Sequence, residues 1–161
     1  MVKILIVFDS RTGNTEAMAL AVAKGAEQAC ENVEVTVKKA DQTIPDDLLN
    51  ADGIIMGSPV YFGQMSAKLK NIIDQSVVVH KKLRGKVGAA FTNSGGHASG
   101  AETTLLSILN AMLVHGMIVQ GKAEGQHYGV AVRGVPEKQS LEECEALGRS
   151  VADLALKLCS C

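Results

Sequence analysis

Apolar residues follow two alternating rhythms along this chain. Ile4 to Phe8 is an unbroken apolar run, the pattern of a strand buried on both faces of a parallel sheet. A helical spacing begins at once, with Glu16 in the first turn and Ala17, Leu20, Ala21 and Lys24 following. Val33 to Val37 alternates apolar and polar positions, which predicts a strand near a sheet edge. A polar connection holds Pro45 and a short helix over Asp46 to Asn50, and Gly53 to Met56 is a short buried strand. Helix returns from Ser66 to about Ser76, with Leu69, Ile72 and Ile73 on one face. Val87 to Thr92 is a fourth strand, whose small residues let helices approach. Ala101 to His115 is a helix with Leu105, Ile108, Leu109 and Met112 at core spacing. Met117 to Val119 makes a fifth strand, and Gln120 to Glu137 is glycine-rich without a readable period. A long helix runs from Ser140 to about Leu158, striped by Leu141, Cys144, Leu147, Val151, Leu154 and Leu158. Ser140 and Glu143 form a capping box at its start.

Five alternations of strand and helix in 161 residues, without repeats, predict one doubly wound α/β domain. Such sheets bind ligands beyond the carboxyl ends of their strands. Three loops therefore converge on one edge, residues 9–15, 58–65 and 92–100.

The first, Ser10-Arg11-Thr12-Gly13-Asn14-Thr15, places three hydroxyls between a strand and a helix. Unpaired amides at the helix start, with the positive end of its dipole behind them, make a phosphate site there. A simple capped βα turn would use some of the same residues, but it needs fewer hydroxyls. The Gly-Lys-Ser/Thr of nucleoside-triphosphate loops and the spaced glycines of dinucleotide loops are both absent. The second loop carries Tyr61-Phe62-Gly63, in a chain with three Phe, two Tyr and no Trp. One of the two rings is expected to fold back on the core, and the other to form a wall for a planar ligand. The third loop, Asn93 to Gly100, has three glycines and no large side chain except His97, leaving amides open to a ligand edge. His97 is either a solvated loop residue or a polar group beside the ligand.

Apolar residues make up 47% of the chain, yet no run approaches a membrane span, and no signal peptide precedes Asp9. A net charge of -1 and no basic stripe argue against nucleic acid; Lys81, Lys82, Arg84 and Lys86 read as a solvated loop. Cys30, Cys144, Cys159 and Cys161 are expected to be reduced thiols of a cytoplasmic protein, the last two in a frayed tail. No histidine pair has metal-ligand spacing.

The first loop resembles, position by position, the Thr/Ser-x-Thr-Gly-x-Thr loop with which flavodoxins hold the phosphate of FMN. Gly57-Ser58-Pro59-Val60-Tyr61-Phe62-Gly63-Gln64-Met65, Ile73-Asp74-Gln75, Phe91-Thr92-Asn93-Ser94-Gly95 and His115-Gly116-Met117 narrow the likeness. They are similar to the tryptophan-repressor-binding-protein-like NAD(P)H:quinone oxidoreductases. That resemblance implies a flavodoxin-like five-stranded parallel sheet of order 2-1-3-4-5 with helices on both faces. It implies FMN held by Ser10, Arg11, Thr12, Gly13, Asn14 and Thr15, by Pro59, Val60, Tyr61, Phe62 and Gly63, and by Asn93, Ser94, Gly95, Gly96 and His97. NADH or NADPH would be the donor and a quinone the acceptor, with His97 and His115 as groups near the flavin. The alternative activity is that of a flavodoxin-type electron carrier. A homodimer or larger homo-oligomer is also implied, with Met112, Val114 and Met117 as apolar surface near the flavin end. His80 stands where the branch often has an active-site Trp, and the segments between the second and third strands and before the last helix are shorter.

Overall fold

A computed structural model describes residues 1–159. Its strands are β1 (Val2–Phe8), β2 (Val33–Lys39), β3 (Gly53–Pro59), β4 (Val87–Ser94), β5 (Ile118–Val119) and β6 (Val130–Arg133). The helices are α1 (Asn14–Glu27), α2 (Pro45–Asn50), α3 (Ala67–Gln75), α4 (Ala101–Val114) and α5 (Lys138–Cys159). The sheet order is β2-β1-β3-β4-β5, and all pairings are parallel, as the resemblance implies. β1 and β4 are buried along nearly their whole length, which is why they read as continuous apolar runs. β2 is the edge, with every second residue exposed over its first half.

β6 is a strand the sequence pattern did not reveal. Ile118 and Val119 pair with Val87 and Gly88, while Val130 to Arg133 pair with Phe91 to Ser94. The fifth position of the sheet is thus one strand in two halves, and residues 120–129 arch away between them. Each half is too short for a two-residue period to show.

Two apolar cores flank the sheet. One joins α1 and α5 to the sheet through Ile4, Ile6, Met18, Val22, Phe91, Val151 and Ala152; the other joins α2, α3 and α4 through Leu5, Val7, Ile54, Leu69, Ile108 and Met112. Several expectations need correction. Leu20 points to solvent at 57% exposure, because Met18, Ala19, Val22 and Ala26 form the face α1 turns inward. Leu158 is also exposed. Ser140 does not cap α5: the helix begins at Lys138, and the Leu141 amide already bonds to the Glu137 carbonyl. Met112 and Met117 are core residues, and Val114 lies where α4 ends, at the opposite edge of the sheet from the three loops. Cys144 is buried, which pushes its thiol up to about 12; Cys30 is half-buried and Cys159 exposed. Cys161 lies outside the described residues. No described helix is long and apolar enough to cross a membrane.

α1 and α5 touch backbone to backbone. A Cβ on Gly25 would lie 1.9 Å from the Glu145 carbonyl oxygen, and one on Gly148 would lie 1.9 Å from that of Val22. Each helix therefore offers the other a notch that only glycine leaves open, and Lys24–Glu145 closes the contact outside at 2.7 Å. Gly148→Ala should force the helices apart and cost about 1–3 kcal/mol, as overpacked cores do. For a chain of this size that lowers the melting temperature by about 2–4 °C per kcal/mol. An unmoved midpoint in a thermal melt would contradict the crossing.

Candidate functional site

The site is the edge where β1, β3 and β4 end together. Phe8 pairs with Gly57, Gly57 with Phe91, and Pro59 with Asn93, so the three loops leave at the same level. Gly57 is required here: a Cβ on it would come within 2.1 Å of the buried Phe91 ring.

In the first loop Gly13 turns with φ 92 and serves as the N-cap of α1 without any side-chain cap. The amides of Asn14, Thr15 and Glu16 precede the first intrahelical bond, from Ala17 to Gly13, so they keep their donor capacity. Ser10 Oγ accepts the Gly13 amide at 3.1 Å and so shapes the loop. The hydroxyls of Thr12 and Thr15 make no bond to any other described residue; Thr15 is buried and Thr12 exposed. Free hydroxyls around an uncapped helix start fit a phosphate dianion. By contrast α3, which starts at the same edge, is capped by its own Ser66, whose Oγ accepts the Leu69 amide at 3.3 Å. A cleft of about 440 Å³ separates the first loop from the second, bordered by Asp9, Ser10, Arg11, Tyr61, Ser66 and Lys68. Lys68 Nζ lies 2.9 Å from Asp41 and 3.9 Å from Asp9. The hydrogen bond from Lys68 holds the Asp41 carboxyl below its usual range, and the same bond raises the Lys68 ammonium. Lys68 is a cation at the mouth that no motif pointed to.

The second loop is a two-residue hairpin turn. Tyr61 and Gln64 exchange backbone bonds of 2.9 and 3.0 Å, and Phe62 and Gly63 between them have φ 51 and 75. Such turns favour Asn-Gly, and a left-handed backbone is uncommon for a bulky aromatic. Neither ring folds back on the core, contrary to expectation. Tyr61 is 38% exposed and Phe62 fully so, because the left-handed turn throws both outward.

The third loop is bound to the second. The Val60 amide donates to Asn93 O at 2.9 Å, Thr103 Oγ1 donates to Gly63 O at 2.7 Å, and a Cβ on Gly100 would sit 2.4 Å from Gly63 Cα. Asn93 is not a ligand-facing side chain: its Nδ2 donates to Val132 O and Gly134 O at 3.1 and 2.7 Å, tying β6 to β4. Ser94 is likewise turned inward and donates to Gly96 O at 3.2 Å. Gly95 and His97 are exposed, while Gly96 and Pro59, Val60 and Gly63 are half-buried around the edge.

The structure does not bring His115 to this group. It follows α4, which starts at the site and runs for 14 residues, about 21 Å, toward the other edge. There its Nε2 lies 2.7 Å from Ser76 Oγ. Because Ser76 Oγ gives its own proton to Ile73 O, Nε2 carries the imidazole hydrogen, and the buried Nδ1 has no partner among the described residues. The resemblance implies a histidine near the flavin at this position, whereas within this chain His115 is the C-cap of α4 at the sheet's far end.

The family described as NADPH-dependent FMN reductase matches residues 2–126. An NAD(P)H dehydrogenase (quinone) from Archaeoglobus fulgidus is 37% identical, over 99% of this chain and 100% of that protein. A flavodoxin from Aquifex aeolicus is 38% identical over 95% of this chain and 86% of that one. The crystal structure of a WrbA-like flavodoxin from Agrobacterium tumefaciens superposes with a TM-score of 0.83 and 27% identity, covering 98% and 99% of the two chains.

Burial first, and the neighbouring His80 second, depress the basicity of His115. Below its ordinary value near 6.5 the unfolded chain therefore binds more protons at this position than the folded one. Stability should fall as pH drops from about 6.5 toward the lowered folded value, and level off below it. His115→Gln should flatten that part of a stability-against-pH curve; an unchanged slope would show that another group sets it.

Proposed function

The chain belongs to the NADPH-dependent FMN reductase family, and on that footing we propose an FMN-dependent oxidoreductase that passes hydride from NADH or NADPH to a quinone or similar acceptor. Bound FMN supplies the hydride chemistry, while the protein supplies binding, orientation and access. In this reading the amides of Asn14, Thr15 and Glu16 and the hydroxyls of Thr12 and Thr15 bind the phosphate. Tyr61 and Phe62 shield one side of the ring, the backbone of residues 93–97 meets its edge, and His97 delivers a proton to the reduced acceptor. The Asn93 carbonyl, which accepts the Val60 amide, and the Thr103 hydroxyl act by holding the second and third loops together.

One observation carries the enzyme reading. The third loop offers no aromatic, and its exposed positions are glycine, alanine, serine and His97. The ring face on that side stays open, and a nicotinamide stacked there can reach about 3–3.5 Å from the reacting atom. A carrier is served better by a covered ring, and usually by a strongly acidic surface that steers docking, whereas this chain has a net charge of -1. The Aquifex flavodoxin keeps the carrier reading as the rival. Anaerobic titration of the FMN-loaded protein with each nicotinamide, followed by quinone, separates the two. Reduction and multiple turnovers are expected; no reduction by either nicotinamide, with a stable one-electron state formed by a reductase, would establish the carrier.

Thr12→Ala and Thr15→Ala should each remove a hydrogen bond to a charged group, about 1.5–3 kcal/mol. FMN should then bind roughly ten- to hundredfold more weakly by fluorescence titration. Unchanged affinity in both variants would move the phosphate elsewhere.

We further propose that the chain self-associates through α4. The exposed side of this helix carries Leu106, Asn110, Leu113 and Val114, and it has no charged residue after Glu102. Val77 and Val78, exposed beside its far end, extend the apolar surface. A second copy meets such a face without like-charge repulsion. Sedimentation of the FMN-loaded protein should show dimers, and monomer alone at high concentration would reject them.

A further inference from the structure

The break in the fifth strand leaves Ala89 and Ala90 of β4 without a strand on the side away from β3, since β5 stops opposite Gly88 and β6 starts opposite Phe91. Residues 120–129 arch over this gap, and α5 closes it from one side. Between them lies a cavity of about 200 Å³, separate from the three loops. Its inner wall is apolar: Ala89, Ala90, Leu109, Val119, Val130 and Leu147. Its mouth is polar, and one residue fixes it. Gln126 Oε1 accepts the Ala131 amide at 2.5 Å, and Gln126 Nε2 donates to Glu143 Oε2 at 2.7 Å. The arch is thereby pinned to both β6 and α5, and the Glu143 carboxylate is oriented at the rim with its second oxygen unbonded among the described residues.

We propose that this cavity is a binding site for a single-ring phenol, with the ring against Ala89, Val119 and Val130 and the hydroxyl donating to Glu143. Three features select that class. An apolar cavity of about 150 Å³ accommodates benzene, so a cavity of about 200 Å³ has room for one aromatic ring. The alanine, valine and leucine side chains of the wall offer a ligand's ring no hydrogen-bond partner. The carboxylate at the mouth, held by Gln126, accepts a hydrogen bond and repels a ligand carboxylate. The site does not depend on the flavin reaction proposed above.

The test is amide NMR of the full chain with excess FMN, titrated with phenol and, separately, with toluene. Saturable shifts at Gln126, Gly129 and Val130 are expected, with phenol bound at least tenfold more tightly than toluene. Glu143→Leu should abolish that preference while toluene still binds, and Ala146→Phe should block both. Ala146 is exposed on α5, so the larger side chain does not burden the fold. No saturable shift in these amides, shifts confined to residues 93–97, or equal affinity for phenol and toluene would each overturn the assignment. FMN binding and quinone turnover, measured on the same samples, report independently on the oxidoreductase.

Discussion

The parallel register of β1, β3 and β4 is the constraint from which the site follows. Phe8, Gly57 and Phe91 stand in one row across the sheet, so the next residues of each strand emerge together. A slip of one residue in any of the three would turn its buried side chains to the wrong core and lift one loop away from the others. The row is fixed by its own packing: the Phe91 ring occupies the space above Gly57, and the Asp9 amide continues the ladder to the Gly57 carbonyl at 3.1 Å.

Beyond that row the loops are treated differently. The second and third are fastened to each other and to β6 through Val60, Asn93, Thr103 and the close approach of Gly100 to Gly63. They form one rigid jaw. The first loop has a single internal side-chain bond, from the Gly13 amide to Ser10, and the Thr12 and Thr15 hydroxyls have no partner among the described residues. In the flavin site proposed above, the braced loops hold the ring and the unspent donors meet the phosphate.

The alternation of strand and helix and the three converging loops could be read from the sequence because they follow from local pattern, whereas the sheet order came from the family resemblance. Five apolar residues from Ile4 mark a strand whatever surrounds them, and the hydroxyls of the first loop exceed what a turn requires. What escaped was tertiary in origin. β6 is recognisable only by its pairing with Phe91 to Ser94, since its four residues lie in a glycine-rich stretch. Asn93 reads as a loop polar group, and only the return of Val132 and Gly134 to its side reveals it as a brace. His115 was placed near the flavin by the resemblance alone, and only the run of α4 across the sheet shows that within this chain it lies away from the three loops.

The left-handed backbone of Phe62 has a consequence for how this surface evolves. Asparagine or glycine at that position would suit the turn better, and the exposed ring contributes nothing to either core. Selection for folding alone therefore pushes the position away from phenylalanine. An aromatic residue that persists here across descendants is held by what meets the ring from outside, so variation at this single site records the history of the ligand separately from that of the fold.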